Sequence, residues 1–150
     1  MKVSDKAIKV IKHHEGVRAK PYKCPAGLWT VGVGHLIGDG KSLPQSWNKT
    51  FTQEEIDGLL KHDLNRFELG VSKMLPNVRL RQCEFDCLVS FAFNLGLGTF
   101  QRSTLRQALL RGDKEAAMES LLKYCRAGGK VLRGLENRRK DEKAMFLANY

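Results

Sequence analysis

Residues 28–35 read Leu28-Trp29-Thr30-Val31-Gly32-Val33-Gly34-His35, a run that stands out in a chain otherwise patterned for helices. Trp29, Val31 and Val33 alternate with Thr30, Gly32 and Gly34. That two-residue period predicts a strand from Leu28 to His35. Just upstream, Pro25 and Gly27 take the second and fourth places of Cys24-Pro25-Ala26-Gly27, which suits a type I turn. The segment as a whole predicts a small β-hairpin or short meander.

On either side the period becomes helical. Ser4 is placed to cap a first helix with Ala7, Val10, Ile11 and His14 at helical spacing, and Gly16 ends it. Glu15 then falls at or near its C-terminal end. A loop rich in Gly, Ser, Pro and Asn covers 38–49. Thr52-Gln53-Glu54-Glu55 has the form of a capping box, opening a long helix to about Leu75 that Pro76 stops. Its apolar stripe runs through Ile56, Leu60, Leu64, Phe67 and Val71. Gly58 and Gly70 weaken this helix, so tertiary contacts must hold it. Asp63 interrupts the stripe, where a lone carboxylate is costly to bury.

Further helices are expected at about 80–93, with Cys83, Cys87 and Phe91 on one face, and at 103–111. Another runs from an Asp113 cap to about Tyr124, and a last one covers 136–147, after a break at Gly128-Gly129. The expected fold class is α+β, mainly helical, in a single domain of 1–150. A β-rich lobe of about 16–51 and a helical lobe of about 76–150 plus the first helix are joined by the long helix. A crevice between them is the natural place for a site.

Composition bounds the function. The 150 residues are 42% hydrophobic and 28% charged, which excludes a disordered or collagen-like chain. Charges recur too often in the first nine residues for the apolar core of a signal peptide. The most apolar stretch, Cys87 to Leu97, is broken by Ser90 and Asn94 and is too short to span a bilayer. Four cysteines without a CxxC pair, and no secretory signal, lead us to expect reduced thiols. No ligand spacing supports a zinc site. The 26 basic against 16 acidic side chains give a formal charge of +10. That favours an anionic partner without choosing between nucleic acid, a membrane surface and an acidic polymer.

One reaction needs what this pattern offers. Glycoside hydrolysis requires a carboxylic acid to protonate the leaving oxygen and a second group that activates water or attacks the sugar from the opposite face. Glu15, at a helix end facing the hairpin, would suit the first role if partly desolvated, although a glutamate at a helix end is usually just solvated. Taken with Cys24 and Thr30, and with His14-Glu15-Gly16 and Trp29 to His35, it closely resembles the phage lysozymes, or endolysins, of glycoside hydrolase family 24. That family has a glutamate, eight residues, an aspartate or sometimes a cysteine, five residues and a threonine, and Glu15, Cys24 and Thr30 fall on it. The resemblance continues in order through Phe85-Asp86, Leu88 to Asn94, Ser103-Thr104-Leu105, Gly128 to Leu132, Gly134-Leu135 and Arg138-Arg139.

The resemblance implies Glu15 as general acid and Thr30 as holder of the nucleophilic water or a neighbour lining the same face. It implies Arg138 as a cation fixing the glutamate, and Phe93, Asn94 and Ser103 as residues lining the sugar cleft. It implies that His35 pairs with Asp63 on the long helix, and the stripe position of Asp63 independently calls for such a partner. We expect that pair to support the fold rather than the chemistry. Cys24 departs from the more familiar aspartate. A thiol beside a carboxylate would stay neutral and be a poor base, whereas a thiolate would be a strong nucleophile. Its exact part, and inversion or retention, are left open by the sequence.

The implied activity is a muramidase cleaving the β-1,4 bond between N-acetylmuramic acid and N-acetylglucosamine in bacterial peptidoglycan, with no cofactor or metal. The implied setting is host-cell lysis by a phage. A monomer would accumulate in the host cytoplasm, neither inserted in the membrane nor bound to nucleic acid, and a holin would give it access to the wall. The alternatives are a wall-binding module that has lost turnover, a lytic transglycosylase acting on the same bond, and a nucleic-acid binder using the arginine-rich last helix.

Overall fold

Helices dominate a computed structural model that describes residues 1–150, and small antiparallel sheets complete it, so the expected α+β, mainly helical class is the one observed. The chain forms two compact units, residues 11–65 and residues 1–10 with 66–150. Helices α1 (Asp5–Glu15) and α2 (Gln53–Met74) contribute residues to both. No helix is long and apolar enough to cross a membrane.

In the first unit, β1 (Arg18–Lys23), β2 (Trp29–Gly32) and β3 (His35–Leu36) form an antiparallel meander in chain order. Tyr22 stands opposite Thr30 and Lys23 opposite Trp29. The pairing slips between Arg18 and Tyr22, a stretch that contains Pro21 and its missing donor. The strand expected to reach His35 stops at Gly32. Gly32 and Gly34 both take positive φ, and His35 begins a new strand. Nor does the alternation divide core from solvent, because Thr30, Val31, Gly32 and Val33 are all buried. The turn Cys24–Gly27 closes with Gly27 N–H donating to the Cys24 carbonyl at 2.8 Å. Ile11, Val31, Val33, Ile37, Ile56, Leu60 and Leu64 make the core.

The capping box forms as the sequence predicts. Glu55 N–H donates to Thr52 Oγ1 at 3.1 Å, and Thr52 N–H donates to Glu55 Oε1 at 3.0 Å. Each bond satisfies a donor that the helix start leaves open.

The second unit is helical, with α3 (Gln82–Leu95), α4 (Leu97–Arg102), α5 (Thr104–Leu110), α6 (Lys114–Leu122) and α7 (Arg133–Leu147). Asp113 caps α6 through Ala116 N–H at 3.0 Å. Three features depart from the sequence expectation. Helix α4 was not foreseen, since six residues carry too little period to read. The break at Gly128-Gly129 is a two-residue hairpin turn between β4 (Arg126–Ala127) and β5 (Lys130–Val131), both glycines having positive φ. Helix α3 is buried on every side from Cys83 to Ala92 rather than along one face. The weak point at Gly70 also has its reason here. A Cβ there would come within 2.6 Å of Leu97, so the missing side chain is what lets the start of α4 approach α2.

Burying α3 takes polar groups inside with it. Asp86 is wholly buried and accepts from Ser4 N–H at 3.0 Å, Gln82 Nε2 at 2.8 Å and Tyr150 Oη at 2.6 Å, as well as from the Ser4 hydroxyl. One carboxylate thereby ties both ends of the chain to α3. Ser4 spends its hydroxyl here. Glu84, also buried, meets Lys114 Nζ at 2.8 Å and Arg81 Nη2 at 3.2 Å. Burial pushes the Glu84 carboxyl up, but hydrogen bonds from Lys114 and Arg81 outweigh it and hold it below its ordinary value.

A depressed carboxyl contributes stability above its unfolded pKa, and that contribution is lost as pH falls through the folded one. Lys114→Met should therefore lower stability at pH 7 by about 1 kcal/mol, discounted for the half-exposed lysine. The gap from the native protein should close in acid, below about pH 4. Urea midpoints at a series of pH values would measure it, and a gap that widened in acid would contradict this account.

Candidate active site

Glu15 is the last residue of α1 and is exposed. Two features fix its place. Gly16 takes φ +81°, and its N–H donates to the Lys12 carbonyl at 2.9 Å, the left-handed cap that ends a helix at a defined residue. One turn back, Lys12 forms an ion pair with Asp57 of α2, pinning the last turn of α1. The Lys12 hydrogen bond is the main cause holding the Asp57 carboxyl below its ordinary value, and Gln53 Nε2 donates to the same carboxylate at 3.0 Å.

Cys24 follows β1 directly, in the same hairpin as Thr30 on β2. Its N–H donates to the Leu28 carbonyl at 2.9 Å, closing residues 24–28 into a tight loop. That closure aims backbone N–H groups at the sulfur. Leu28 N–H is the largest influence drawing the thiol below its ordinary pKa; partial burial opposes it, and Ala26 N–H and the Thr30 hydroxyl add to it. Of the two states the sequence left open, neutral thiol and thiolate, these donors favour the second. Thr30 is buried, and its Oγ1 donates to the Leu28 carbonyl at 2.9 Å. With one hydroxyl proton, it serves either that carbonyl or the sulfur at a given moment.

His35, at the start of β3, meets Asp63 of α2 with Nδ1 2.8 Å from Oδ2. Its ring stacks on Trp47 at 5.7 Å with 10° between the planes. The loop before α2, the sheet and the helix are thus joined at one imidazole.

The remaining family positions lie in the other unit. Phe93 and Asn94 are half-buried in the last turn of α3, with Phe93 edge-on to Phe67 at 5.2 Å. Ser103 is buried and its hydroxyl is occupied on both sides. It donates to the Phe100 carbonyl at 2.7 Å and accepts from Arg106 N–H at 3.0 Å as the N-cap of α5. Arg138 is buried rather than a solvated helix charge, with Nε 3.2 Å from Glu142 Oε2 and Nη2 3.1 Å from the Ser90 carbonyl. Sequence reasoning missed Arg139 and Glu142, both fully buried, whose ion pair brings Nε within 2.8 Å of Oε1. The signal that would have found them is the Arg138-Arg139…Glu142 spacing, which puts acid and base on one face of a helix.

Removing the His35–Asp63 pair should act on stability. His35→Asn should cost about 1–3 kcal/mol in a denaturant titration, the range for a hydrogen bond involving a charged group, while the folded variant keeps its turnover. Lost turnover with unchanged stability would make the imidazole catalytic.

The phage lysozyme family model matches residues 12–142. The endolysin of Bacillus phage B103 is 39% identical over 98% of this chain, but the match takes in 54% of that relative, so the chain spans about half its length. A variant of P22 lysozyme superposes with a TM-score of 0.86 at 36% identity, covering 98% of this chain and 99% of that one. The muramidase domain of SpmX from Asticaccaulis excentricus superposes with a TM-score of 0.84 at 31% identity, covering 97% of both chains. With a family model spanning most of its length and full-length similarity in sequence and fold, this chain belongs to the phage lysozyme family.

Proposed function

We propose that the protein is an endolysin, a muramidase that hydrolyses the β-1,4 bond between N-acetylmuramic acid and N-acetylglucosamine in bacterial peptidoglycan. The observation that carries this reading is the fixing of Glu15, Cys24 and Thr30 within one compact unit. Glu15 is held by the Gly16 cap and the Lys12–Asp57 pair, and the sulfur and hydroxyl by the 24–28 loop. The endolysin named in a Bacillus phage and the muramidase domain of SpmX support the same class.

In this reading Glu15 donates its proton to the leaving glycosidic oxygen, and water supplies a hydroxyl to the anomeric carbon. Because Glu15 is exposed in the free protein, the bound glycan itself has to displace the water around it. Cys24 takes the place of the second carboxylate, contacting the water or the sugar with a sulfur surrounded by donors, and Thr30 lines the same face. Phe93 and Asn94 bind sugar, and Arg138 supports the acid. Ser103 acts through the cap its hydroxyl makes on α5 rather than by offering that hydroxyl to the sugar. The formal charge of +10 favours contact with the anionic envelope. The biological role is lysis of the host, by a monomer that a holin releases from the cytoplasm to the wall.

Mass spectrometry of muropeptides from purified peptidoglycan tests the reaction. The native protein should give products carrying one added water and Glu15→Gln should give none. Anhydro products would make it a transglycosylase, and no products from the native protein would leave a binding module. The thiol is tested separately. In a Cys125→Ser background, alkylation of Cys24 by iodoacetamide should reach half its limiting rate at a lower pH than free cysteine, and should follow loss of turnover. Full alkylation with activity intact would exclude an essential sulfur.

A further inference from the structure

Two buried arginines of α7, Arg138 and Arg139, face Glu142. Glu142 Oε2 also accepts from the Ser90 hydroxyl at 2.5 Å. Arg139 is wholly enclosed and lies over the Phe91 ring at 5.0 Å. Its Nη2 reaches Glu142 Oε2 at 3.3 Å and, on its other side, Asn94 at 2.7 Å.

A guanidinium carries only donors, so the atom of Asn94 that faces it is the amide oxygen. The reverse orientation would set N–H against N–H beside a buried positive charge. The amide of a half-exposed asparagine, ordinarily free to present either end, is therefore fixed in one sense. Its NH2 is thereby left as the end that can donate to a ligand.

We propose that Arg139 is a positioning residue. Held by Glu142, it locks Asn94 as a hydrogen-bond donor, so that this position selects an acceptor oxygen on the glycan, the carbonyl of an acetamido group being the chemistry that fits. The inference rests on the muramidase reading for its ligand. It adds a direction to the Asn94 contact and a task for a residue that is itself sealed from solvent.

Asn94→Asp separates this from a purely structural role. The substituted carboxylate still accepts from Arg139, so folding and thermal midpoint should be kept or improved, but it offers no N–H. KM on purified peptidoglycan should rise at least about tenfold, the worth of roughly one hydrogen bond, with kcat little changed. Binding to sedimented sacculi should weaken in parallel. A folded Asn94→Asp variant with native KM and native binding would overturn the proposal.

The variant Arg139→Gln tests the lock. It leaves Glu142 its partner Arg138, so the carboxylate is not stranded, and a glutamine can meet either end of Asn94. If folded it should also raise KM, whereas native KM would exclude the positioning role. Should it not fold, Asn94→Asp alone decides. A native protein that binds sacculi without cleaving them removes the proposed reaction but leaves the binding comparison decisive. One that neither binds nor cleaves sinks both.

Discussion

A carboxylate with no access to water has to find positive charge or hydrogen-bond donors, and Glu142 finds two arginines and a serine. Burial raises the carboxyl's pKa, and Arg139 is the foremost influence pulling it back; burial likewise lowers that of Arg139 while Glu142 restores it. Neither partner is tolerable inside without the other. Since Ser90 belongs to α3 and the charged residues to α7, the packing of these two helices and the state of this cluster are one question. Cys87 sits in the same surroundings, and burial, followed by Glu142, pushes its thiol well above the ordinary range. A buried thiol pushed up and a Cys24 thiol drawn down thus coexist in one chain, separated by what faces each sulfur.

The hairpin unit uses a different economy. Its strands are short, and much of its definition comes from backbone bonds in loops. Cys24 N–H and Gly27 N–H close the 24–28 turn, Trp29 N–H reaches the Gly40 carbonyl at 2.8 Å, and Phe51 N–H reaches the Ala19 carbonyl at 2.8 Å. Such closures place a sulfur or hydroxyl accurately without a large core behind it. The 24–28 closure is also what leaves backbone N–H groups facing the Cys24 sulfur.

Much of this was legible in the sequence. The Thr52–Glu55 box, the Asp113 cap and the ends of α2 follow from local rules, and the structure keeps them. Glu15, Cys24 and Thr30 were singled out by their match to the spacing of a family the sequence resembles. Other features resisted. The two-faced burial of β2 defeats an alternation rule that assumes one wet face, and α4 is too short for periodicity to register. A buried arginine looks in sequence like any surface arginine, so Arg138 and Arg139 could be matched to a family but not placed inside a core.

By itself, then, the sequence determined the longer helices and their caps, the presence of the hairpin, and which carboxylate, thiol and hydroxyl recur at the family's spacing. Those are consequences of caps, periods and turn residues acting over a few neighbours. Only the tertiary structure decided that Arg138 and Arg139 lie inside, that Glu142 meets Ser90, and that Asn94 faces Arg139 with its oxygen. Charge state and hydrogen-bond direction depend on groups brought close from distant parts of the chain and on how much water remains between them, and neither is written in local order.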